Sequence, residues 1–462
     1  MKDVTITHTA VADDASLAAP AMVPGLLVAF APNGSVSTDR YVVSVSFTVG
    51  RDPRSSLPIR DDRVSKRHLE ITHDEGAFHI CDLGSTNGTF VNGEPIPKKS
   101  KVPLIDGAII RVGRALLVFE AQSRIVLSRD ETADFGIVGP FYATPLITEL
   151  RRASISGRHV LLAGPSGTGK ELSAKGLAVL MGTPGKPLAL LSHNAAQFTS
   201  AEDAAATLFG IGARVFSNVD PRPGLIERAG GGALFLDEVH NLPIRVQRSL
   251  LRVMEDGRLV RTGEIKERDA NVRFILASNA PPPDYRLAPD ILARLRVVRV
   301  PPLTERIADI PAIFNAVLAK QFADHERSPA GLLTLLSSEH YEKLCLDGFP
   351  DDNVRGIVDL ADRLATGVAF GAGPEEVMSE VFYDRFGPHT PSTTPSAPEA
   401  ISPNSSYEKN RDLIVAAFHE CGGNISRTHE LLISRGIKCS RRWLAIFADK
   451  WGLRDKKNNR RG

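Results

Sequence analysis

The sequence predicts a multidomain protein with an N-terminal all-β sandwich, a central α/β domain and an all-α C-terminal domain. Three patterns indicate this order. Short Val-, Ile- and Phe-rich runs, separated by Gly, Asn, Asp and Pro, occupy about residues 26–120. Apolar strands then alternate with longer helical stretches, which is typical of a parallel sheet with helices on both faces. Helical periodicity dominates from about Thr304 to Phe386, and three helical segments follow Tyr407.

Length and composition narrow the class of protein. At about 150 residues per domain, the 462 residues suggest roughly three domains. Apolar residues make up 42% and charged residues 24%, which excludes wholesale disorder. The four cysteines show no CxxC spacing, so neither a disulfide framework nor a zinc site is indicated. No apolar run approaches the roughly 18 residues of a membrane span, and no signal peptide is evident. We therefore expect a cytoplasmic protein without a membrane partner.

Shifts in composition predict the domain boundaries. An N-terminal tail without sustained period and a Pro-, Ser- and Thr-rich spacer stand out from the rest. The predicted segments are a tail at 1–24, a β-sandwich at 25–121, a linker at 122–136, an α/β subdomain at 137–303, a helical lid at 304–386, a spacer at 387–405 and a helical domain at 406–462.

A phosphate-binding loop follows the first strand of the α/β region. The motif GPSGTGK comes after the apolar run HVLLA and before the helical stretch ELSAKGLAVL. Glycines let the backbone N–H groups turn inward around phosphate oxygens, while a lysine neutralises the terminal phosphates. We expect ATP to be bound by Gly164, Pro165, Ser166, Gly167, Thr168, Gly169, Lys170 and Glu171.

Two carboxylates end another apolar strand about 67 residues later. In GGALFLDEV, Asp237 is placed to hold Mg²⁺ and Glu238 to orient water. A strand-end turn with a helix cap is the structural alternative. The two motifs together predict an ATPase with Asp237 and Glu238 as catalytic residues. A metabolic kinase is the other enzyme class to weigh, but no acceptor-site motif appears in the sequence.

Residues 137–358 resemble the AAA+ domain of sigma-54-dependent transcription activators, in which a Glu after GxSGTGK is usual. The resemblance implies three further roles. Asn279 in FILASN matches the polar sensor beside the γ-phosphate, and Arg355 in DDNVR matches the second sensor. Arg294 in DILARLRV matches a catalytic arginine finger that reaches the neighbouring subunit's nucleotide. A homo-oligomer, commonly a hexameric ring, is therefore implied. Arginines on a solvated helix face are the alternative.

The stretch at the position of the sigma-54-contacting GAFTGA loop departs from the family pattern. It reads Arg214 to Val219, in which Phe216 and Ser217 keep an aromatic and a hydroxyl while every glycine is lost. The loss of glycine predicts another backbone shape at the loop tip. This departure favours, as an alternative, a sigma-54-independent DNA-binding regulator in which ATP controls assembly only.

Two more positions differ from the family. The Asn that restrains the catalytic glutamate is replaced by His193, with Asn194 one position later. A first finger arginine would fall on Ala288. These differences predict altered control of hydrolysis.

Three motifs in the β-rich region resemble a forkhead-associated (FHA) domain. They are VGR, VSKRH and STNGTFVNG, in that order. A phosphothreonine carries nearly two negative charges and three acceptor oxygens, which call for an arginine, a hydroxyl and further donors from separate loops. For STNG alone, a hairpin turn is the alternative. The resemblance implies a phosphothreonine protein or Ser/Thr kinase as partner, with the ligand held by Arg51, Ser65, Lys66, Thr86 and Asn87, while Gly50 and His68 shape the loops.

The C-terminal region resembles the Fis-type helix-turn-helix that closes sigma-54 activators. Its segments are DLIVAAFHEC, SRTHELL and SRRWLAIFADKW, and the tail Arg454–Gly462 carries five basic residues against one acid. A three-helix bundle for dimerisation is the alternative. The resemblance implies contacts with enhancer-like DNA through Lys438, Ser440, Arg441 and Arg442. The three regions together imply a sigma-54-type transcription regulator that hydrolyses ATP, responds to phosphothreonine and has sigma-54 RNA polymerase as a partner.

Overall fold

The computed structural model of the chain describes residues 22–32, 39–74, 76–124, 135–183, 185–212, 220–283, 285–325, 328–387 and 411–435, together with Leu444 and Ala448. Within these residues, no helix is both long and apolar enough to cross a bilayer. Six residues with predicted contacts lie outside the described part: Phe216, Ser217, Lys438, Ser440, Arg441 and Arg442.

The N-terminal domain is a sandwich of two β-sheets, as predicted. Its strands are β1 (Met22–Phe30), β2 (Arg40–Val42), β3 (Ser46–Gly50), β4 (Leu57–Pro58), β5 (Leu69–Asp74), β6 (Ala77–Asp82), β7 (Thr89–Val91), β8 (Glu94–Pro95), β9 (Lys101–Pro103), β10 (Ile109–Val112) and β11 (Ala115–Arg124). The first sheet has the order β2-β1-β11-β10-β7-β8, and the second has the order β4-β3-β5-β6-β9.

Strand β1 is buried on both of its faces. Successive side chains of a strand point to opposite sides, so Leu26 and Val28 enter the core between the two sheets. Leu27 and Ala29 point the other way and join the core of the helical lid described below. The continuous apolar run GLLVAF fits this arrangement, because a half-exposed strand would alternate apolar with polar residues.

The central domain has a five-stranded parallel sheet with helices on its faces. Its elements are α1 (Ala143–Ile155), β12 (His159–Ala163), α2 (Lys170–Met181), β13 (Leu190–Asn194), α3 (Ala201–Phe209), β14 (Gly210–Ile211), β15 (Arg222–Pro223), α4 (Leu225–Arg228), β16 (Ala233–Asp237), α5 (Ile244–Asp256), β17 (Arg258–Val260), β18 (Glu267–Asp269), β19 (Arg273–Ser278), α6 (Pro289–Arg294) and β20 (Leu295–Arg299). The sheet order is β13-β16-β19-β12-β20, and β14-β15 and β17-β18 are separate antiparallel pairs.

The strand order explains where the site forms. β12 lies between β19 and β20, and β16 lies on the far side of β19. Because all five strands are parallel, the segments that follow β12, β16 and β19 meet at one edge of the sheet. Ser278 pairs with Ala163 in this register, so Asn279 and the phosphate-binding loop leave the sheet side by side.

Five helices form the lid that follows the sheet. They are α7 (Ile310–Asp324), α8 (Ala330–Leu335), α9 (Ser338–Asp347), α10 (Val354–Ala369) and α11 (Pro374–Phe386). α9 begins at a capping box, in which Ser337 and His340 satisfy each other's backbone N–H groups, and it ends at Gly348 in the left-handed conformation. Two further helices, α12 (Arg411–Glu420) and α13 (Ile425–Ser434), follow in the C-terminal domain. Leu444 packs with Ile414 and Leu432 in a small core there.

Candidate nucleotide and phosphopeptide sites

The phosphate-binding loop needs its glycines because other backbone atoms approach them closely. A Cβ on Gly164 would collide with the carbonyl oxygen of Val300. Gly167 has φ +75°, and a Cβ there would collide with the carbonyl oxygen of Asp352 in the lid. The loop is therefore packed between the sheet and the lid, and a side chain at either position would push it out of place.

Lys170 closes the loop from within. It is the first residue of α2, and its Nζ donates hydrogen bonds to the carbonyl oxygens of Gly164 and Pro165, each at 2.8 Å. Burial lowers its pKa, while the carboxylates of Asp237 and Glu238 act in the opposite direction. The ammonium group therefore sits inside the loop and in the field of the two predicted catalytic acids. Glu171, by contrast, points to solvent and pairs with Lys175 at 2.9 Å.

Asp237 and Glu238 lie at the end of β16, where the sequence predicts them. The backbone N–H of Glu238 donates to Oδ1 of Asp237 at 2.8 Å. Glu238 adopts the left-handed conformation, with φ 51° and ψ 38°. A non-glycine residue adopts this conformation infrequently, since it costs about 1 kcal/mol or more.

Asn241 is the polar side chain that reaches Glu238. Its Nδ2 donates to Oε2 of Glu238 at 3.3 Å, and its backbone N–H donates to the Glu238 carbonyl at 2.9 Å. His193 instead lies against the ring of Phe198, with 4.8 Å between centroids. Asn194 accepts from the Ala196 backbone and so caps a short helical turn. Sequence reasoning missed Asn241, although it lies only three residues after Glu238.

Two residues on the lid side bond to carbonyl groups of the phosphate loop. Sequence reasoning missed both of them. Asn353 is buried, donates from Nδ2 to the Ser166 carbonyl at 3.0 Å and accepts from Leu303 N at 2.9 Å. Arg306 is buried and donates to the Thr168 carbonyl at 3.0 Å. Both lie inside motifs that point to this domain, DDNVR and PPLTERIADIP, but buried polar contacts of this kind leave no periodic signal.

Arg355, the predicted second sensor, lies beside the loop. Arg355 Nη1 is 3.4 Å from the hydroxyl of Ser166. Asn279 is exposed at the end of β19, at the same edge of the sheet. The phosphate loop, Asp237, Glu238, Asn279 and Arg355 are thus brought to one place.

Arg294 lies at the other edge of the sheet. It ends α6, and the next residue, Leu295, pairs with His159 at the start of β12. The phosphate loop follows Ala163 at the other end of β12. Ala163 is four residues after His159, which is about 13 Å along the strand. Arg294 instead pairs with the exposed Glu255 at 2.6 Å. Within one subunit it therefore lies far from the loop, as a finger acting on a neighbour would.

Asp309 is a fully buried acid close to Arg306. Its Oδ1 accepts from the backbone N–H of Phe141 at 2.8 Å, and burial raises its pKa to about 7. Arg306 opposes that rise, since its positive charge favours the ionised form. A Cβ on Gly139 would lie 2.6 Å from Oδ2, which explains glycine there. The acid therefore fixes the segment entering α1 to the residues that hold the phosphate loop.

The predicted phosphopeptide residues converge on one end of the N-terminal sandwich. Arg51 N donates to the Ser65 carbonyl at 2.9 Å. The Ser65 hydroxyl accepts from Thr86 N at 3.1 Å, and Asn87 Nδ2 donates to the Arg63 carbonyl at 2.8 Å. Lys66, like Arg51, Thr86 and Asn87, is exposed. The loops that carry an arginine, a lysine and two hydroxyl residues are therefore bonded to one another at the surface.

His68 and Gly50 shape these loops. Ser65 N donates to Nδ1 of His68, so Nδ1 carries no proton and Nε2 donates to the Gly88 carbonyl at 3.1 Å. Burial lowers the pKa of His68 and keeps this neutral form. A Cβ on Gly50 would collide with the Lys66 carbonyl.

The sandwich is joined to the lid by a buried ion pair and by apolar contacts. Arg111 Nε donates to Oε2 of Glu342 on α9 at 2.7 Å, and Gly93 N donates to Oε1 at 3.1 Å. Phe30 stacks on Tyr341 with 4.1 Å between ring centroids. Burial raises the pKa of Glu342, and Arg111 opposes the rise. The two domains thus share one continuous packed interface.

Family comparison matches both regions. The Sigma-54 interaction domain family matches residues 142–300, and the FHA domain family matches residues 47–113. The first match contains the phosphate loop, Asp237, Glu238, Asn279 and Arg294, and the second contains the phosphopeptide loops.

Known proteins are similar over much of the chain. The nitric oxide reductase transcription regulator NorR1 of Cupriavidus necator is 34% identical over 342 residues, covering 70% of this chain and 63% of that protein. The transcriptional regulatory protein XylR of Pseudomonas putida is 29% identical over 342 residues, covering 68% and 58%. The chain therefore spans about three fifths of the length of these two relatives. A crystal structure of NtrX from Brucella abortus in complex with ADP is 26% identical, covers 68% of this chain and 70% of that one, and has a TM-score of 0.44. The chain therefore contains one region of the Sigma-54 interaction domain family and one region of the FHA domain family.

Proposed function

We propose that the chain is a sigma-54-type transcription regulator that binds DNA, hydrolyses ATP as an AAA+ oligomer and is controlled by phosphothreonine recognition. One observation carries the catalytic part of this proposal. Lys170, within the phosphate loop, lies in the field of Asp237 and Glu238, and the lid side chains of Asn353 and Arg355 reach the same loop. A triphosphate in this loop would touch both parts of the domain at once.

The donor set fits a magnesium nucleotide. Lys170 now donates to two loop carbonyls, and a bound triphosphate would offer it stronger, charged acceptors. Asp237 supplies a carboxylate oxygen, which together with phosphate oxygens and water is the kind of ligand set that Mg²⁺ prefers. When bound, Mg²⁺ would neutralise charge on the phosphates. Glu238, held by Asn241, would orient the attacking water.

The geometry of Arg294 supports an oligomeric ATPase. Its guanidinium lies at the opposite edge of the sheet from the phosphate loop of its own subunit. An arginine that stabilises transition-state charge must approach the γ-phosphate, so it would act on a neighbouring subunit. Exchange of its partner Glu255 for that phosphate requires little rearrangement, because both side chains are at the surface.

The interface between the FHA domain and the lid supports control by phosphothreonine. Asp61, in the loop before Ser65, accepts from Arg114 through its backbone and its guanidinium, at 2.7 and 2.9 Å. Arg114 lies in the turn between β10 and β11, whose Gly113 carbonyl accepts from the Ser338 hydroxyl on α9 at 3.4 Å. Two contacts, Asp61 with Arg114 and Gly113 with Ser338, thus connect the phosphopeptide loops to a lid helix, and the lid carries Asn353 and Arg355. Occupancy of the FHA site would bias the lid through this chain of contacts.

DNA binding and contact with sigma-54 RNA polymerase complete the proposal. Two of the three helical segments expected of a helix-turn-helix are α12 and α13. Enhancer-like DNA would be bound by Lys438, Ser440, Arg441 and Arg442, and the sigma factor would meet the loop around Phe216 and Ser217. All of these partners are found in the cytoplasm.

ATP turnover of the purified full-length chain tests the proposal. We expect turnover per subunit to rise with protein concentration, because each site needs its neighbour's arginine. Lys170→Ala should reduce turnover by about a thousandfold at every concentration. No turnover by the unmodified chain under conditions in which it oligomerises, or failure to open a sigma-54 promoter in the presence of phosphorylated partner, would refute it.

A further inference from the structure

A ring of basic side chains surrounds the phosphopeptide loops of the FHA domain. The loops between β3 and β5, and the segment before β9, carry six exposed cations in addition to Arg51 and Lys66. We call them the basic rim: Arg54, Arg60, Arg63, Arg67, Lys98 and Lys99. Among the described residues, none of the six forms an ion pair, although acidic residues lie next to them in the sequence.

The neighbouring acids bond to Arg114 or to backbone N–H groups of the loops. In the run Arg60, Asp61, Asp62, Arg63, both aspartates bond to Arg114, at 2.9 and 2.7 Å. Asp52 accepts from the backbone N–H of Arg54. These bonds hold the loops together, and in the described part of the chain the six cations form no ion pair with the neighbouring acids.

Lys99 is held in place by a strained backbone. It has φ 59°, and its N–H donates to the Asp82 carbonyl at 2.7 Å. The carboxylate of Asp82 accepts from Gly84 N, Ser85 N and the Ser85 and Thr89 hydroxyls, at 2.6 to 2.8 Å. Asp82 thus bonds both to the loop that carries Thr86 and to the backbone of Lys99. Such strain persists where the surrounding structure over-determines it.

The Lys99 side chain crosses that loop. A Cβ built on Gly84, two residues before Thr86, would lie 3.4 Å from Cε of Lys99. Lys98 precedes it and pairs with Asp82 through a backbone bridge. On the other side of the site, Arg63 carries the carbonyl that accepts from Asn87. Two residues of the basic rim, Arg63 and Lys99, therefore contact the loop that carries Thr86 and Asn87.

We propose that the FHA domain selects a phosphothreonine segment that carries further negative charge on either side of the phosphothreonine, and that Lys98 and Lys99 read part of that charge. The proposal rests on phosphothreonine recognition by the same site. The shared chemistry is an anionic flank, supplied either by Asp and Glu side chains or by a second phosphoryl group. A neutral flank would leave the rim without counter-charges, whereas an anionic flank would meet several cations at once.

Fluorescence anisotropy with the full-length chain tests this. Four labelled peptides of equal length are compared: phosphothreonine with alanine flanks, with aspartate flanks, with a second phosphothreonine, and the aspartate-flanked peptide without phosphate. At low salt we expect both anionic flanks to tighten binding about tenfold over alanine flanks, from several exposed ion pairs. The advantage should shrink to about twofold at 0.5 M salt, where screening is strong.

Two variants of equal charge locate the effect. Lys98→Gln with Lys99→Gln should remove most of the advantage of anionic flanks and leave binding of the alanine-flanked peptide unchanged. Lys266→Gln with Lys320→Gln removes the same charge from exposed positions elsewhere and should change neither.

The outcomes distinguish a failure of phosphothreonine recognition from a failure of selection for anionic flanks. If the alanine-flanked phosphopeptide does not bind, phosphothreonine recognition itself fails. If it binds and anionic flanks add nothing, the present inference is overturned while recognition stands. Binding of the unphosphorylated aspartate peptide as tight as its phosphorylated form, or displacement of the phosphopeptide by an equal concentration of single-stranded DNA, also overturns the inference, because the rim would then be a general polyanion surface.

Discussion

Arg111 of the FHA domain and Glu342 of the lid form an ion pair of 2.7 Å whose side chains are only 13% and 5% exposed. Arg111 also lies over the ring of Phe90, 3.9 Å from its centroid, on the strand that follows the phosphopeptide loop. Since Phe90 is only three residues from Asn87, the pair connects the phosphopeptide loop to a lid helix. It is the natural place to uncouple the two domains.

Loss of one partner should weaken this interface. Arg111→Ala leaves Glu342 buried without its cation, and we expect the free energy of unfolding of the lid to fall by about 3 kcal/mol. The combination Arg111→Met with Glu342→Leu should recover most of that loss, because an apolar pair needs no desolvation of charge. Hydrogen exchange of α9 in the full-length chain measures the loss of stability in the single variant and its recovery in the double variant. Unchanged protection of α9 in Arg111→Ala would contradict the described docking.

Arg294 should act across a subunit boundary. Arg294→Ala alone and Lys170→Ala alone should each reduce ATP turnover by about a thousandfold, the effect expected of an arginine finger or of a lost nucleotide site. Mixing the two variants should restore turnover, because a Lys170→Ala subunit can still offer its arginine to a neighbour's intact site. Arg252→Ala, an exposed arginine on α5, serves as the matched control. No recovery on mixing would argue that Arg294 acts within its own subunit.

Asn241 should position Glu238. Removing its side chain in Asn241→Ala frees Oε2, and we expect kcat to fall about tenfold while KM for ATP stays the same, since a hydrogen bond to a charged group contributes about 1.5 kcal/mol. His193→Asn should leave kcat unchanged, because His193 packs on Phe198 and not on Glu238. Steady-state kinetics separate kcat from KM. A rise in KM with constant kcat would show that Asn241 serves nucleotide binding instead.

Asp309 should make stability depend on pH. Burial raises its pKa to about 7, above the value of an unfolded aspartate, so its protonated form is favoured in the folded protein. The stability linked to this proton is complete below about pH 4 and is lost as the pH rises through about 7. Asp309→Asn should therefore flatten the pH dependence of unfolding between those values, by at most about 4 kcal/mol. Urea unfolding at several pH values measures this; an unchanged slope would show that Arg306 keeps Asp309 ionised.

The sequence predicts the elements of the fold well because each domain has a clear local pattern. The alternation in HLEITH becomes β5, and the apolar runs before GPSGTGK and at GALFLDE become the buried strands β12 and β16. The phosphate loop is equally visible, since its glycines are required by contacts with Val300 and Asp352. The place of such a motif in the fold can be predicted from the sequence, because a strand and a helix flank it.

The remaining site residues depend on contacts between distant segments. Asn353 and Arg306 hold loop carbonyls more than 130 positions away in the sequence, and no periodicity marks a buried hydrogen bond. The docking of the FHA domain had one visible signal, the strand β1 that is apolar on both faces. That signal indicates that a second element covers the sheet, but it does not identify the element. Glu342 could therefore be found only from the structure.

ATP turnover with and without a phosphothreonine peptide tests the central claim most directly, namely that the FHA domain controls the ATPase through its docking on the lid. It should be measured on the full-length chain, unmodified and as Glu342→Gln, with Lys170→Ala to define the background. We predict that the peptide changes turnover of the unmodified chain and that this response is lost in Glu342→Gln, which still hydrolyses ATP. An equal response in both proteins, or no response in the unmodified chain at saturating peptide, would contradict the account.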